Sequence, residues 1–598
     1  MKIYCNPLNL PYKYQFVKHT RLGEKQATVY REAADPSIVL FKEKYYLFPS
    51  MTGGFFTSED LLTWEEHPFL NKMPIYGYAP DVCVVGEYLY FCASDAGKNC
   101  SFYRTKDPEK EPFEEIKGTF PFWDPDLFLD DDGRLYFYWG CSNQTPIYGV
   151  ELDRNTLKPL SEPLVMFDSD DKTRGYERSG NDHVPPKSEE MIAAMSEDMI
   201  QKIMQAPENQ RHAMGLDTEE KIRWFARKIN GNDPYIEGAW MTKHNGRYYL
   251  QYAIPGTEYN IYGDGVFVSD KPLGPFHPAE NNPYSYKPGG YMRGAGHGST
   301  LKDKDGNFWH MSTFSISKND SMERRIGLWK AGFDSDGELF CDQRYGDFPN
   351  DLDAPAFSEP KWWLLSYGKK VSVSGGDGAE NLTDENARTW WKGKPGDSVR
   401  IDLGNVMDVR AVQINFADDK IFVDMEKGDA SVSYDERIID RSKKVTVWIL
   451  DASEDGVHYI TLCDKSDADT DFPHDFVSVE KGISARYIRL KVLKVPYGQP
   501  CLSGLRVFGK YGNAPEAVKG VRAERLSDLD MSVSWEDDCA CHNILWGSCP
   551  DKLYHSCMVF GKKQQKIGAL IKGKTVYVRV DAINEGGVIY GTEIIELK

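Results

Sequence analysis

One pattern, repeated five times before residue 350, constrains this chain more than any other feature. A short acidic or polar motif is followed by a tight turn and then by an alternating aromatic strand. Asp35 in Ala34-Asp35-Pro36 precedes Lys44-Tyr45-Tyr46-Leu47-Phe48, and Asp81 in Ala79-Pro80-Asp81 precedes Gly86-Glu87-Tyr88-Leu89-Tyr90-Phe91. Asp124 and Asp126 precede Asp132-Gly133-Arg134-Leu135-Tyr136-Phe137. Glu237 in Ile236-Glu237-Gly238 precedes Asn245-Gly246-Arg247-Tyr248-Tyr249-Leu250, and His297 in Gly296-His297-Gly298 precedes Asp305-Gly306-Asn307-Phe308-Trp309-His310. Asn-Gly and Asp-Gly pairs supply the positive φ that a two-residue hairpin turn needs, and alternating aromatics read as strand. The first three units lie about 45 residues apart, the length of a four-stranded propeller blade. Five units predict a five-bladed β-propeller over residues 1–356, in which the first strand of each blade lines the axis. Asp35, Asp124 and Glu237, far apart in sequence, then converge on one spot.

The fourth unit is delayed by an insertion at about 187–230. Apolar residues there recur at helical steps (Met191, Met195, Met199, Ile203), which predicts amphipathic helices. Placed between blades, the insertion either narrows the mouth of the axis or lies with its Met-rich face against the propeller side. The preceding stretch from Gly175 to His183 is polar and turn-rich. Beyond about residue 356 the punctuation changes. Short alternating strands over 357–511 and again over 512–598 predict two β-sandwiches, so the fold class is all-β with one helical insertion.

Composition narrows the partners. With 598 residues the chain exceeds a single core. Its 13% aromatic content suits β-rich folds and sugar-stacking surfaces, and its net charge of −19 opposes nucleic-acid or anionic-membrane binding. The opening MKIYCNPLNLPYKYQF lacks an apolar run, giving the expectation of a cytoplasmic protein, or a secreted one if the start is processed. The 12 cysteines form no regular framework. Cys539, Cys541, Cys549 and Cys557 cluster near the end, but their spacing does not match common zinc modules, and thiols are the favoured reading.

Three carboxylates on separate inner strands are what glycosidic hydrolysis without a cofactor requires. One activates water, one protonates the leaving oxygen, and a third beside the acid raises its pKa. Ala34-Asp35-Pro36, Trp123-Asp124-Pro125-Asp126-Leu127-Phe128 and Ile236-Glu237-Gly238-Ala239-Trp240, with the strand that follows it, resemble glycoside hydrolase family 43. That family contains inverting five-bladed propellers acting mainly on β-D-xylosides and α-L-arabinofuranosides. The resemblance implies Asp35 as general base, Glu237 as general acid and Asp124 as the residue that tunes Glu237, with Asp126 its rival. It implies an exo-glycosidase acting on oligosaccharides or polysaccharide side chains, with galactosides or arabinan as alternative substrates. His297 resembles the family's axial histidine, able to hold a structural calcium ion or water, with a hydrogen-bonded core histidine as the alternative. Asp81 and Arg293 are candidate ligands of sugar hydroxyls, and Trp123, Tyr78 and Trp240 candidate stacking platforms. Gly238-Ala239, where the family more usually has Gly-Pro, and the insertion are departures that bear on substrate choice. The order of motifs over 357–511 resembles a discoidin-like sandwich, and 512–598 resembles a fibronectin type III domain, a module that usually serves as a spacer. A carbohydrate-binding propeller without catalysis and a glycoside phosphorylase are the competing functional readings.

Overall fold

The computed structural model describes residues 2–18, 26–73, 78–95, 98–180, 185–424, 432–434 and 437–598. Residues 34–342 contain five antiparallel four-stranded meanders, the fourth with a short fifth strand, Ser285–Tyr286, paired to its third. Their first strands are Ala34–Phe41, Asp81–Val85, Asp126–Leu129, Glu237–His244 and Gly296–Lys302. Each first strand adjoins the next, and the fifth returns to the first, which closes the ring. The aromatic strand that follows each motif is the second strand of its blade: Lys44–Ser50, Tyr88–Cys92, Leu135–Trp139, Arg247–Ile254 and Phe308–Ser315.

These second strands are apolar on both faces because both faces are buried. Successive side chains on a strand point to opposite sides. Tyr45 and Leu47 accordingly pack with Trp309 and Ile326 of blade 5, while Tyr46 and Phe48 pack with Leu89 and Phe91 of blade 2. Leu135 and Phe137 face Tyr90 and Phe102 of blade 2, whereas Tyr136 and Tyr138 face Tyr248 and Leu250 of blade 4. Tyr249 and Val266 then meet Phe314 and Trp329 across the last junction. Many of the propeller's aromatic side chains thus serve blade-to-blade packing. The Asp130–Gly133 turn has a buried first member. Asp130 bonds Lys243 and, at 2.6 Å, the Tyr248 hydroxyl of the next blade.

The insertion forms helices α1 (Glu189–Gln205), α2 (Glu208–Ala213) and α3 (Glu219–Asn230), with Ser188 and Thr218 capping α1 and α3. Its core is Ile200, Leu216, Ile222 and Ala226, with Met199 and Ile203 alongside. The expected stripe holds only in part, since Met191 and Met195 are exposed and Ile192 and Ser196 take the buried face. The Asn143 side-chain amide donates to the Lys228 carbonyl, tying the end of α3 to the loop after blade 3's second strand.

The remaining chain is bound tightly to the ring. The N-terminal hairpin, Lys13–Lys18 with Gln26–Glu32, is not part of a blade. It forms a five-stranded sheet with Ile421–Asp424, Arg437–Asp440 and Val432–Tyr434. An eight-stranded sheet built around Ser398–Phe416, His474–Lys494 and Cys501–Lys510 carries its own core of Trp391, Trp448 and aliphatic side chains. Residues 522–597 form a three-stranded and a five-stranded sheet. A spacer role does not fit this last unit, because Trp535, Trp546 and Val578 share one apolar core with Tyr176, Tyr252 and Phe267 of the propeller. All twelve cysteines are free thiols. The Gly175–Glu177 turn is buried against the last unit, and the continuation of that stretch over 181–184 lies outside the described residues.

Candidate active site

The polar motifs share a backbone device. Pairing between the first two strands slips by one residue in blades 1, 4 and 5, between Ala34 and Ser37, Glu237 and Trp240, and Gly296 and Ser299. Each slip is a β-bulge, which turns a side chain out of the sheet. Asp35, Gly238 and His297 sit at these bulges with φ of 47°, 61° and 47°. In blades 2 and 3 the equivalent residues, Ala79 and Asp124, lie just before the strand with φ of 43° and 46°. Left-handed backbone is uncommon outside glycine and concentrates at functional sites. Only blade 4 uses glycine there, and its acid comes from the preceding residue, Glu237, on a longer side chain.

These turned-out groups meet at the axis. His297 Nδ1 stands 3.7 Å from both Asp35 Oδ1 and Asp124 Oδ2. Asp35 is almost fully buried. It accepts from Arg324 Nη1 at 3.0 Å and from the Ser50 hydroxyl at 2.6 Å, and its own amide donates to Thr313 Oγ1. Arg324 also pairs with Glu32. Glu237 Oε1 accepts from the Tyr262 hydroxyl, and Oε2 lies 3.3 Å from Cys141 Sγ. One ligand-type atom each of Asp124, Cys141 and Glu237 lies within 4.8 Å of the other two. A Cβ on Gly238 would stand 2.9 Å from the His297 ring, so the absent side chain is what admits the imidazole.

The other candidates divide. Tyr78 borders the site, with the Arg324 guanidinium 5.2 Å from its ring centroid. Trp123, next to Asp124, is 38% exposed and free to present its ring. Trp240 instead donates its indole N–H to the Thr300 carbonyl of blade 5. Asp81 and Asp126 act as staples between blades: Asp81 accepts from Ser37 and the Leu127 amide, and Asp126 from the Met241 amide. Asp126 is thus engaged by the next blade, whereas Asp124 faces His297 at the axis. Arg293 lines a groove of about 490 Å³ between the propeller and the last unit, with Arg178 and Lys562. Calcium takes six to eight oxygen ligands; His297 itself offers a nitrogen, and the carboxylate oxygens of Asp35 and Asp124 lie 3.7 Å from its Nδ1. Arg324, Tyr262 and Ser50 carry no signal in the sequence, and Cys141 reads there only as a buried thiol. None belongs to a motif opening a blade. Each lies on a second or third strand or in a loop, where only the ring closure brings it inward.

The sequence model of glycosyl hydrolases family 43 matches residues 26–184 and 171–339, together more than half of the chain. The chain belongs to family 43. It is a glycoside hydrolase. Among its relatives is a protein of Bacteroides ovatus named xylosidase/arabinosidase, 24% identical over 41% of this chain and 75% of the relative. A β-D-galactofuranosidase of Aspergillus niger is 25% identical over 41% of this chain and 62% of its own length. A β-xylosidase of Xylanibacter ruminicola is 26% identical over 41% of this chain and 77% of its own. Among solved structures, a thermostable family-43 glycoside hydrolase aligns with a TM-score of 0.40 at 18% identity, covering 60% of this chain and 99% of that one.

The electrostatics separate the carboxyl groups of this family 43 site. Burial pushes Asp35 upward, but Arg324, then His297 and Ser50, outweigh it and hold its pKa below the usual carboxylate range. Asp124 is raised, first by burial and then by the nearby charges of Glu237 and Asp35, against the pull of His297. Burial lowers His297, yet Asp35, Asp124 and Glu237 raise it overall, favouring an imidazolium among carboxylates. Burial also keeps Tyr262 and Cys141 protonated, so both can donate. The site therefore holds one firmly ionised carboxylate and, beside Glu237, a second carboxyl group that resists ionisation.

Proposed function

We propose that this hydrolase is an inverting, exo-acting glycosidase releasing β-D-xylosyl or α-L-arabinofuranosyl residues from oligosaccharides or polysaccharide side chains. The observation that carries this reading is the unequal treatment of the carboxyl groups. Asp35 is kept ionised by Arg324, while Asp124 is driven toward its neutral form beside Glu237. In this mechanism Asp35 takes a proton from water as the oxygen attacks the anomeric carbon. The glycosidic bond breaks with its electrons going to the leaving oxygen, which takes the proton of Glu237. Asp124 stands beside Glu237 and helps to place it, and His297, 3.7 Å from both aspartates, orients them. No cofactor is needed, because water and carboxyl groups move every proton.

The relatives named xylosidase or arabinosidase support the choice of sugar. Exo action is supported by the insertion, whose α3 is tied to the loop following Cys141. A panel of nitrophenyl β-xyloside, α-arabinofuranoside, β-galactoside and β-galactofuranoside tests the assignment. Turnover of the first or second is expected, with loss of about 10²–10⁴-fold on Glu237→Gln and Asp35→Asn. Turnover of only the galactosides would overturn the sugar assignment, and mixed-length products from a polymer would overturn exo action. We read residues 357–511 as a discoidin-like sandwich and 512–598 as a fibronectin type III-like one. The eight-stranded sheet and the three-plus-five arrangement support these readings.

A further inference from the structure

Glu237 has two oxygens with very different neighbours. Oε1 receives the Tyr262 hydroxyl, a strong donor that burial keeps protonated. Among the described residues, Oε2 receives only the Cys141 thiol, at 3.3 Å. A thiol is a weak donor and a weak acceptor. Cys141 also stands against Asp124, so it sits where the acid and its tuning carboxyl group approach each other. The groups facing Glu237 are Tyr262 from its own blade, Cys141 and Asp124 from blade 3, and His297 from blade 5. Tyr235 and Glu258 lie at the rim, and Asp35 faces Tyr262 from blade 1. Of the two side chains that touch the Glu237 oxygens, Cys141 is the one that can be exchanged for a stronger donor of similar size.

We infer that Cys141 is a positioning residue for the acid step: its thiol fills the space beside Glu237 Oε2 and donates only a weak hydrogen bond there, leaving Oε2 as the oxygen that carries and delivers the proton. In the delivering step the Oε2–H bond breaks, its electron pair stays on the carboxylate, and the proton bonds to the leaving oxygen. A hydroxyl in place of the thiol would donate strongly to Oε2 and favour the ionised carboxylate, since hydrogen bonds to the charged form stabilise it. An alanine would remove the donor altogether and favour the protonated form.

This inference rests on the assignment of Glu237 as acid, and the test keeps the two separable. Parent, Cys141→Ser and Cys141→Ala enzymes are compared in full-length form on aryl glycosides of the preferred sugar, from dinitrophenyl to unsubstituted phenyl, across pH. The parent must first turn over these substrates; failure there sinks the functional reading itself. Given that, the alkaline limb of kcat/KM is expected to move about one unit to lower pH in Cys141→Ser and to higher pH in Cys141→Ala. Cys141→Ser should slow the phenyl glycoside about tenfold above that limb while sparing the dinitrophenyl one, which needs little protonation. Shifts in the same direction for both variants, unmoved limbs, or equal losses on all leaving groups would overturn the inference. If Cys141→Ser fails to fold, the direction of the Cys141→Ala shift decides alone.

Discussion

The axis is made by single residues held in costly backbone conformations. Asp35, Asp124 and His297 adopt left-handed φ, a cost of order 1–3 kcal/mol each, and each thereby places a polar group in one pocket. Asp124 carries a second cost in charge. Its pKa is raised in the folded protein, so the folded state holds a proton that the unfolded chain releases. Stability is therefore full below the unfolded value near 3.8 and falls as pH rises toward the raised folded value. Asp124→Asn removes that ionisable group. It is expected to raise the melting temperature at pH 7–8 but not at pH 3, while lowering kcat on substrates with poor leaving groups. Unchanged melting at neutral pH would show that Asp124 carries no such penalty. Asp35 runs the other way: its contribution is present above the unfolded value and lost as pH falls through its depressed one.

At the level of elements, the bulged inner strand is the working unit. Gly238 shows how closely it is built. A Cβ there meets His297 Cγ at 2.9 Å and Ala253 Cβ at 3.1 Å, with φ already left-handed. Gly238→Ala is expected to lower stability by about 1–3 kcal/mol and to reduce kcat more than it alters KM, because the imidazole between Asp35 and Asp124 must move. Denaturation and steady-state kinetics check both. The strands themselves were readable, since turn glycines at 133, 246 and 306 and double-faced aromatic runs are local signals. Blade 1 turns through Lys42 and Glu43 without glycine and was found only by its strand. The helical insertion was readable as helix, but its buried face was not. Met191 and Ile192 are both apolar, and only the packing of α1 on α3 leaves Met191 exposed and Ile192 buried.

Across the whole molecule, legibility ends where residues distant in sequence meet. Asp35 and Glu237 were visible because they open blades, whereas Arg324 becomes part of the site only when blade 5 closes on blade 1. The same holds for the clasp between the N-terminal hairpin and the sandwich. Arg31 bonds Asp418 at 2.9 Å and Asp471 at 3.1 Å, with all three buried. Arg31→Ala leaves two carboxylates without their cation, so a loss of about 3–5 kcal/mol is expected, measured by urea denaturation. A loss under about 1 kcal/mol would mean that water reaches the pair. The N-terminal hairpin is accordingly expected to depend on Asp418 and Asp471 of the sandwich for its stability.

The central claim is that Asp35 and Glu237 act on opposite faces of the sugar, one through water and the other on the leaving oxygen. Proton NMR of the first sugar released, recorded before mutarotation, tests it most directly. From a nitrophenyl β-xyloside the account predicts α-xylose as the first product, with β-xylose growing in later. Initial release of β-xylose would contradict it, making one of these carboxylates a nucleophile and requiring the roles at the axis to be reassigned.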